Sequence, residues 1–274
     1  MVSDWFLELF HVEKPVIGVI HLPPLPGSSR YRGESVEGIV EFAVSEARKL
    51  VEGGVDGLIV ENYGDYPFAK RCSSPLTIAS MAVVVREVVK EVAVPVGVNL
   101  LRNSGPEALA IAYACGAKFI RVNAYTDVLA TDQGILEPVA YEIEFLRSYL
   151  RNCSVRVFAD VHCKHGKPLY PESIEESALV AVSRGCADAV IVTGLRTGCE
   201  PSLDDVVRVR SVVSVPVIVG SGMRIDNVAR FFRYVDGFIV GTYFKVDGVT
   251  TNPVDVERVR KFMNVIRDLR SRCR

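Results

Sequence analysis

Eight short apolar runs, most of them β-branched, recur along the chain at Val16–Ile20, Gly57–Glu61, Pro95–Asn99, Phe119–Asn123, Arg156–Asp160, Ala189–Thr193, Pro216–Gly220 and Gly237–Val240. Nearly all lack the strict polar–apolar alternation of a half-exposed strand, and they read as parallel strands covered on both faces. Between and after them lie helical patterns at Ser35–Glu52, Leu76–Val92, Pro106–Cys115, Pro138–Leu150, Ser173–Arg184, Leu203–Val213, Asp226–Tyr234 and Val254–Arg272. In the first of these the apolar stripe falls at Val36, Ile39, Val40, Ala43, Ala47 and Leu50, a 3.6-residue period. Glycine sits between helix and strand in EGGVDGLIV and ACGAKFIRV, where a left-handed C-cap is cheap.

Parallel strands need a crossover after each strand, so this alternation, repeated without a Pro/Ser-rich linker, predicts one α/β domain over residues 1–274. The expected architecture is a single (β/α)8 barrel of the TIM type, with a doubly wound open sheet as the alternative. Ser3–Phe10 is predicted to form a short helix closing the N-terminal mouth of the barrel. The long polar segment 124–138 is expected to act as a lid over the other mouth, with Gly134 as its hinge.

Composition narrows the function. The chain is 49% hydrophobic and 24% charged, enough for a large core. A net charge of −1 argues against nucleic acid as a partner. No stretch reaches the ~20 apolar residues of a membrane-spanning helix, so membrane insertion is not expected. The N-terminal MVSDWFLELFHVEKP carries acidic residues where a signal peptide needs positive charge, and the expected location is cytoplasmic. Seven cysteines with no C-x-x-C pair suit neither a disulfide framework nor a zinc finger. Homo-oligomerisation is left open.

Barrels of this type gather their chemistry at the C-terminal ends of the strands. There these runs turn polar: His21; Glu61, Asn62 and Asp65; Asn99, Arg102 and Asn103; Arg121 and Asn123; Asp160, His162, Lys164 and His165; Thr193. Charges so close to a barrel interior survive only if paired or satisfied by a ligand. The last two strands end instead in small residues, Gly220-Ser221-Gly222 and Gly241-Thr242. Glycine lets a backbone approach an anion without a Cβ in the way, and a helix opening just after it offers free N–H groups. The pair reads as a phosphate cradle.

ADVHCKHG is the densest cluster, and strand alternation predicts Asp160, His162 and Lys164 on one side with Cys163 on the other. Three readings of His162 stay open. It is a structural histidine bonded to a carboxylate, an acid–base group oriented by Asp160, or a ligand to a divalent metal shared with Asp160 or His165 and with Glu61. No other cofactor is indicated. Lys164 either forms a Schiff base or holds a phosphate by charge, and Cys163 reads as packing.

Nine motifs in order, VIGVIHLPPLPGSSRY, GGVDGLIVENYGDYPF, VPVGVNLLRNS, GAKFIRVNAYTD, TDQGILE, ADVHCKHG, ADAVIVTGLRTG, VPVIVGSGM and VDGFIVGTYFKVDG, together resemble the BtpA family over almost the whole chain. The resemblance implies a phosphate-binding TIM barrel. The family is named for a cyanobacterial factor in photosystem I accumulation, and some bacterial relatives carry a nucleosidase label. Ser104 stands where the family usually has Asp, and Gly166 where Ala is common.

Residues and resemblance together lead to an expected enzyme acting on a phosphorylated sugar or nucleotide-derived substrate, by C–N glycosidic cleavage or isomerisation. Asp160, His162, Glu61 and Lys164 would do the chemistry. Gly220, Ser221, Gly222, Gly241 and Thr242 would hold the phosphate, and His21, Asn99, Arg102, Asn103, Arg121, Asn123 and Thr193 would position the rest. The alternative is a non-catalytic, ligand-binding assembly or stability factor, as the photosystem label suggests.

Overall fold

All eight apolar runs become strands in the computed structural model, which describes residues 4–272. The order along the chain is β1 (Val16–His21), β2 (Gly57–Glu61), β3 (Val96–Asn99), β4 (Phe119–Val122), β5 (Val128–Thr131), β6 (Gly134–Leu136), β7 (Arg156–Val161), β8 (Gly166–Tyr170), β9 (Ala189–Val192), β10 (Val217–Val219) and β11 (Gly237–Val240), of which β5, β6 and β8 are three further strands. Eight of them, β1-β2-β3-β4-β7-β9-β10-β11, pair in parallel and return to β1, closing a TIM barrel. The register sets His21 opposite Glu61 and Glu61 opposite Asn99, so the polar strand ends share one level.

Around the barrel run α2 (Val36–Gly53), α3 (Pro75–Glu91), α4 (Gly105–Cys115), α5 (Ala140–Tyr149), α6 (Ile174–Ser183), α7 (Leu203–Val212), α8 (Val228–Phe231) and α9 (Val256–Arg272), after the N-terminal α1 (Asp4–Phe10). Their ends follow local chemistry. Ser35 accepts from the Gly38 amide to start α2, and Gly54 closes it at φ 96°. The apolar stripe of α2 is the face it buries, with Ile39, Ala43, Ala47 and Leu50 inside. Helix α8 is shorter than its periodicity predicts, because Asn227 closes the preceding turn on the Arg224 amide and the Gly222 carbonyl. Among the described residues no helix is long and apolar enough to cross a membrane.

Helix α1 plugs the N-terminal mouth as expected, although Ser3 lies outside the described residues. Phe6 and Phe10 join Ile17, Ile59, Phe119, Phe158, Ile191, Ile218 and Ile239 in a core inside the barrel. Phe119 and Phe158 stack at 4.6 Å. Gly97 leaves room for that pair, since a Cβ there would lie 2.1 Å from the Phe119 ring. Two residues further along, inward positions become Arg121 and Asp160, both buried. The lower barrel is thus packed with hydrocarbon and the upper barrel is charged.

The segment expected as a lid is more ordered than a loop. It forms the β5–β6 hairpin, and β8 pairs antiparallel on the other edge of β5. Gly134, φ 91°, begins β6 at the hairpin turn.

One buried ion pair fastens the C-terminal end of the barrel. Lys245 reaches Glu46 of α2 at 2.8 Å, with both side chains essentially inaccessible. Burial alone would raise the Glu46 carboxyl, but Lys245, helped by the Val254 amide and Lys49, holds it below its ordinary value. Lys245→Met strips Glu46 of its main countercharge and is expected to destabilise the chain by roughly 3–5 kcal/mol in urea unfolding. Pairing it with Glu46→Leu should recover most of that loss. The Glu46 contribution is full above its unfolded pKa of about 4.3 and disappears as pH falls through the lower folded value. The double variant should therefore lose stability less steeply in acid.

Candidate functional site

The charged upper barrel opens into two chambers. One, of about 210 Å³, is bounded by the ends of β10 and β11; its lining includes His21, Arg121, Gly220, Ser221, Gly222, Gly241 and Thr242. The other, of about 390 Å³, is bounded by Tyr63, Tyr66, Phe68, Asn99, Arg102, Asn123 and His165, with Asp132 and Gln133 from the hairpin tip. Glu61, Lys164 and Thr197 border both.

In the smaller chamber the glycine turn is tied from behind. The Ser221 hydroxyl accepts from the Gly194 amide at 2.9 Å and donates to the Cys199 carbonyl at 2.8 Å. Gly222 stands at φ 71°, where a Cβ would fall 2.1 Å from the Glu200 nitrogen, so no other residue fits. A side chain at Gly241 would strike the His21 ring at 2.7 Å. The helix expected to open directly after the first turn does not. Helix α8 begins at Val228 and runs four residues, so backbone of the turn, not a long helix dipole, faces the space. Two arginines that were not expected also line the chamber, Arg224 and Arg258. Arg224 lies two residues past Gly222, a signal in GSGMR. Arg258 arrives from α9 and its Nε donates to the Tyr243 carbonyl at 2.7 Å, a contact with no local sequence signature.

At the base of the cleft lies a buried network. Arg121 donates through Nε and Nη2 to the two Asp160 oxygens, each at 3.0 Å. Asn123 donates to Asp160 Oδ2 at 2.7 Å, and the Cys163 thiol donates to the same oxygen at 2.9 Å. Arg102 donates to Asn123 Oδ1 and to the Lys164 carbonyl. Asn99 donates to Glu61 Oε2 at 2.8 Å. Burial would depress Arg121, but Asp160 outweighs it and holds the guanidinium charged.

Strand alternation fails here. Strand β7 ends at Val161, and His162 takes a left-handed φ of 49°. That turn brings Cys163 onto Asp160 and carries His162 off, its amide on Asp127 and its ring Nε2 3.1 Å from the Pro171 carbonyl. The expected Asp160–His162 dyad is not assembled, and neither residue lines a chamber. The metal set of Asp160, His162 or His165, and Glu61 does not form either: among the described residues no three His, Cys, Asp or Glu side chains converge on a metal position. Asn103 is a loop staple, exchanging hydrogen bonds with Ala124 and donating to the Glu137 carbonyl. Thr193 accepts from the Lys164 amide at 3.0 Å, behind the cleft wall. Asp65 braces two loops through Leu25 and Asn62.

Electrostatics distinguishes the cleft groups. Burial, with Lys245, Lys164 and Arg121 nearby, pushes His21 well below its usual range, so its imidazole is neutral. Burial and the Arg121 charge lower Lys164, opposed by Glu61. Burial and Asp160 push the Cys163 thiol up to about 12. Native alkylation by iodoacetamide at pH 8 should consequently spare Cys163 while labelling the exposed Cys186 and Cys199. Thiolate scarcity alone slows Cys163 on the order of a thousandfold, and peptide mapping reads the difference.

The BtpA family model matches residues 12–268. An uncharacterised Pyrococcus abyssi protein is 48% identical over 94% of this chain and 97% of its own length. The photosystem I biogenesis protein BtpA of Synechocystis is 40% identical over 94% of this chain and 90% of its own. Among solved structures, (S)-3-O-geranylgeranylglyceryl phosphate synthase from Thermoplasma acidophilum, in complex with sn-glycerol-1-phosphate, superposes with a TM-score of 0.59 at 15% identity, covering 98% and 99% of the two chains. Thiamine phosphate pyrophosphorylase from Pyrococcus furiosus gives 0.57 at 14% identity, covering 93% and 96%. At such identities the likeness is one of fold.

Proposed function

The chain belongs to the BtpA family, and from that premise and the cleft we propose an enzyme acting on a phosphorylated sugar or nucleotide-derived substrate by proton transfer, through C–N glycosidic cleavage or isomerisation. The observation that carries the reading is the junction of the two chambers at Glu61 and Lys164. A ligand with its phosphate on the Gly220–Gly222 and Gly241–Thr242 turns and its body against Tyr63, Tyr66 and Asn99 would put its reacting carbons between a carboxylate and an amine. Arg224 and Arg258 add positive charge at the phosphate end. The names of two solved neighbours, one holding sn-glycerol-1-phosphate and one a thiamine phosphate pyrophosphorylase, support a phosphorylated ligand in this fold.

Roles follow from contacts. Glu61, oriented by Asn99, exchanges protons with the substrate, and Lys164 is its partner across the junction. Asp160 is engaged by Arg121, Asn123 and Cys163, so it acts as a positioning residue for Arg121 rather than as the base. Arg121 and Arg102 hold the charge balance of the cleft floor. A ligand-responsive assembly factor is the second reading, favoured by the name of the Synechocystis relative; it shares the ligand site and lacks turnover.

Thermal melting with inorganic phosphate, sugar phosphates and nucleotides, each against its unphosphorylated counterpart, tests the ligand class. Saturation at 100 times Kd adds about 2.7 kcal/mol, a rise of roughly 5–10 °C at this size. No rise with any phosphate ester overturns the phosphate site. On the substrate so identified, Glu61→Gln and Lys164→Ala should each lower turnover ~10²–10⁴-fold, whereas His162→Ala, outside the cleft, should leave it nearly unchanged. Binding without turnover would favour the assembly-factor reading.

A further inference from the structure

Most charged side chains around the cleft come in partnered sets, and that of Lys164 does not. Arg121 is held by Asp160, Lys245 by Glu46, and Arg102 by Asn123 and the Lys164 carbonyl. Lys164 is bound only through its backbone, whose amide donates to Thr193. Among the described residues no carboxylate lies within ion-pair distance of its amine and no acceptor takes a hydrogen bond from it. It nevertheless borders both chambers, directly where they meet. An amine so placed has two uses. It neutralises an anion, or it acts as a nucleophile.

Position favours the second. The glycine turns and two arginines already serve the phosphate end, whereas Lys164 stands at the junction, between that end and the chamber for the ligand's body. Burial and the Arg121 charge act to lower its pKa and outweigh Glu61 and Asp160, which oppose them. Glu61, the carboxylate that borders the same junction, lies beyond direct contact with the amine and takes the proton through a bridging water.

We infer that Lys164 is a covalent catalytic residue, whose amine condenses with the carbonyl of a phosphorylated aldehyde or ketone held across the two chambers. This rests on the phosphate-site reading above and narrows its substrate class to compounds that present a carbonyl. The ammonium gives one proton to Glu61, and the freed lone pair attacks the carbonyl carbon, forming a C–N bond as the C=O π electrons move onto oxygen. Glu61 returns the proton to that oxygen. A second proton passes from nitrogen to the hydroxyl, water leaves, and a protonated Schiff base remains. One ammonium and one carbonyl thus give one iminium and one water, with Glu61 again a carboxylate. The iminium then acidifies the adjacent carbon, the chemistry an isomerisation requires.

The test is reductive trapping of the full chain. Glyceraldehyde 3-phosphate, dihydroxyacetone phosphate and ribose 5-phosphate are each supplied with sodium cyanoborohydride, and adducts are mapped by peptide mass spectrometry. The expected result is a reduced adduct at Lys164 with at least one of them, forming ~10-fold or more faster than at any surface lysine because the bound carbonyl is held beside the amine. Excess inorganic phosphate should slow it, a check on the wild-type chain that needs no variant. Lys164→Arg, which keeps the charge, should abolish the adduct while its melting temperature stays near that of the parent. Labelling spread over surface lysines, in a sample whose melting still rises with phosphate esters, overturns the Schiff base and leaves the phosphate site standing. Neither adduct nor melting shift overturns both.

Discussion

The buried pair between Arg121 and Asp160 is the interaction on which the upper barrel depends. Both side chains are almost wholly removed from water, where either alone would be prohibitively costly. Together, with Asn123 and Cys163 donating to the same carboxylate, they turn a hydrocarbon-lined tube into one with a polar floor. Arg102 is tied to this floor through Asn123, and its contact with the Lys164 carbonyl fixes the backbone from which that amine projects.

Much of this was legible from spacing. The strand and helix boundaries follow from apolar periodicity because a (β/α)8 barrel buries each strand on both faces and each helix on one. The ring of polar strand ends, from His21 through Lys164, follows from the same rule extended by two residues. Reading stopped where the backbone left its regular path. Nothing in ADVHCKHG announces that His162 adopts a left-handed φ, and that single dihedral exchanges the places of His162 and Cys163. Arg258 is similarly silent, since its approach depends on where α9 docks and not on its neighbours in sequence. The segment 124–138 looked like a loop because its β5 and β6 strands are only four and three residues long.

The fold itself constrains function only loosely. The barrel is shared with an (S)-3-O-geranylgeranylglyceryl phosphate synthase and a thiamine phosphate pyrophosphorylase at 15% and 14% identity, and such a scaffold hosts many chemistries. What is particular here is the division of labour around one rim. Backbone turns after β10 and β11 shape a hollow of about 210 Å³, aromatic and amide side chains at the ends of β2 and β3 shape one of about 390 Å³, and Glu61 and Lys164 border both.

The small sheet β6-β5-β8 carries a further consequence. It joins the segment after β4 to the segment after β7 by a shared ladder of backbone hydrogen bonds. Asp132 and Gln133, on the first segment, and Lys164 and His165, at the base of the second, border the same chamber. The two segments therefore form one wall, stitched from parts about thirty residues apart. A change in the length of either segment shifts its register against the other in that ladder. For this barrel the unit of loop grafting is a pair.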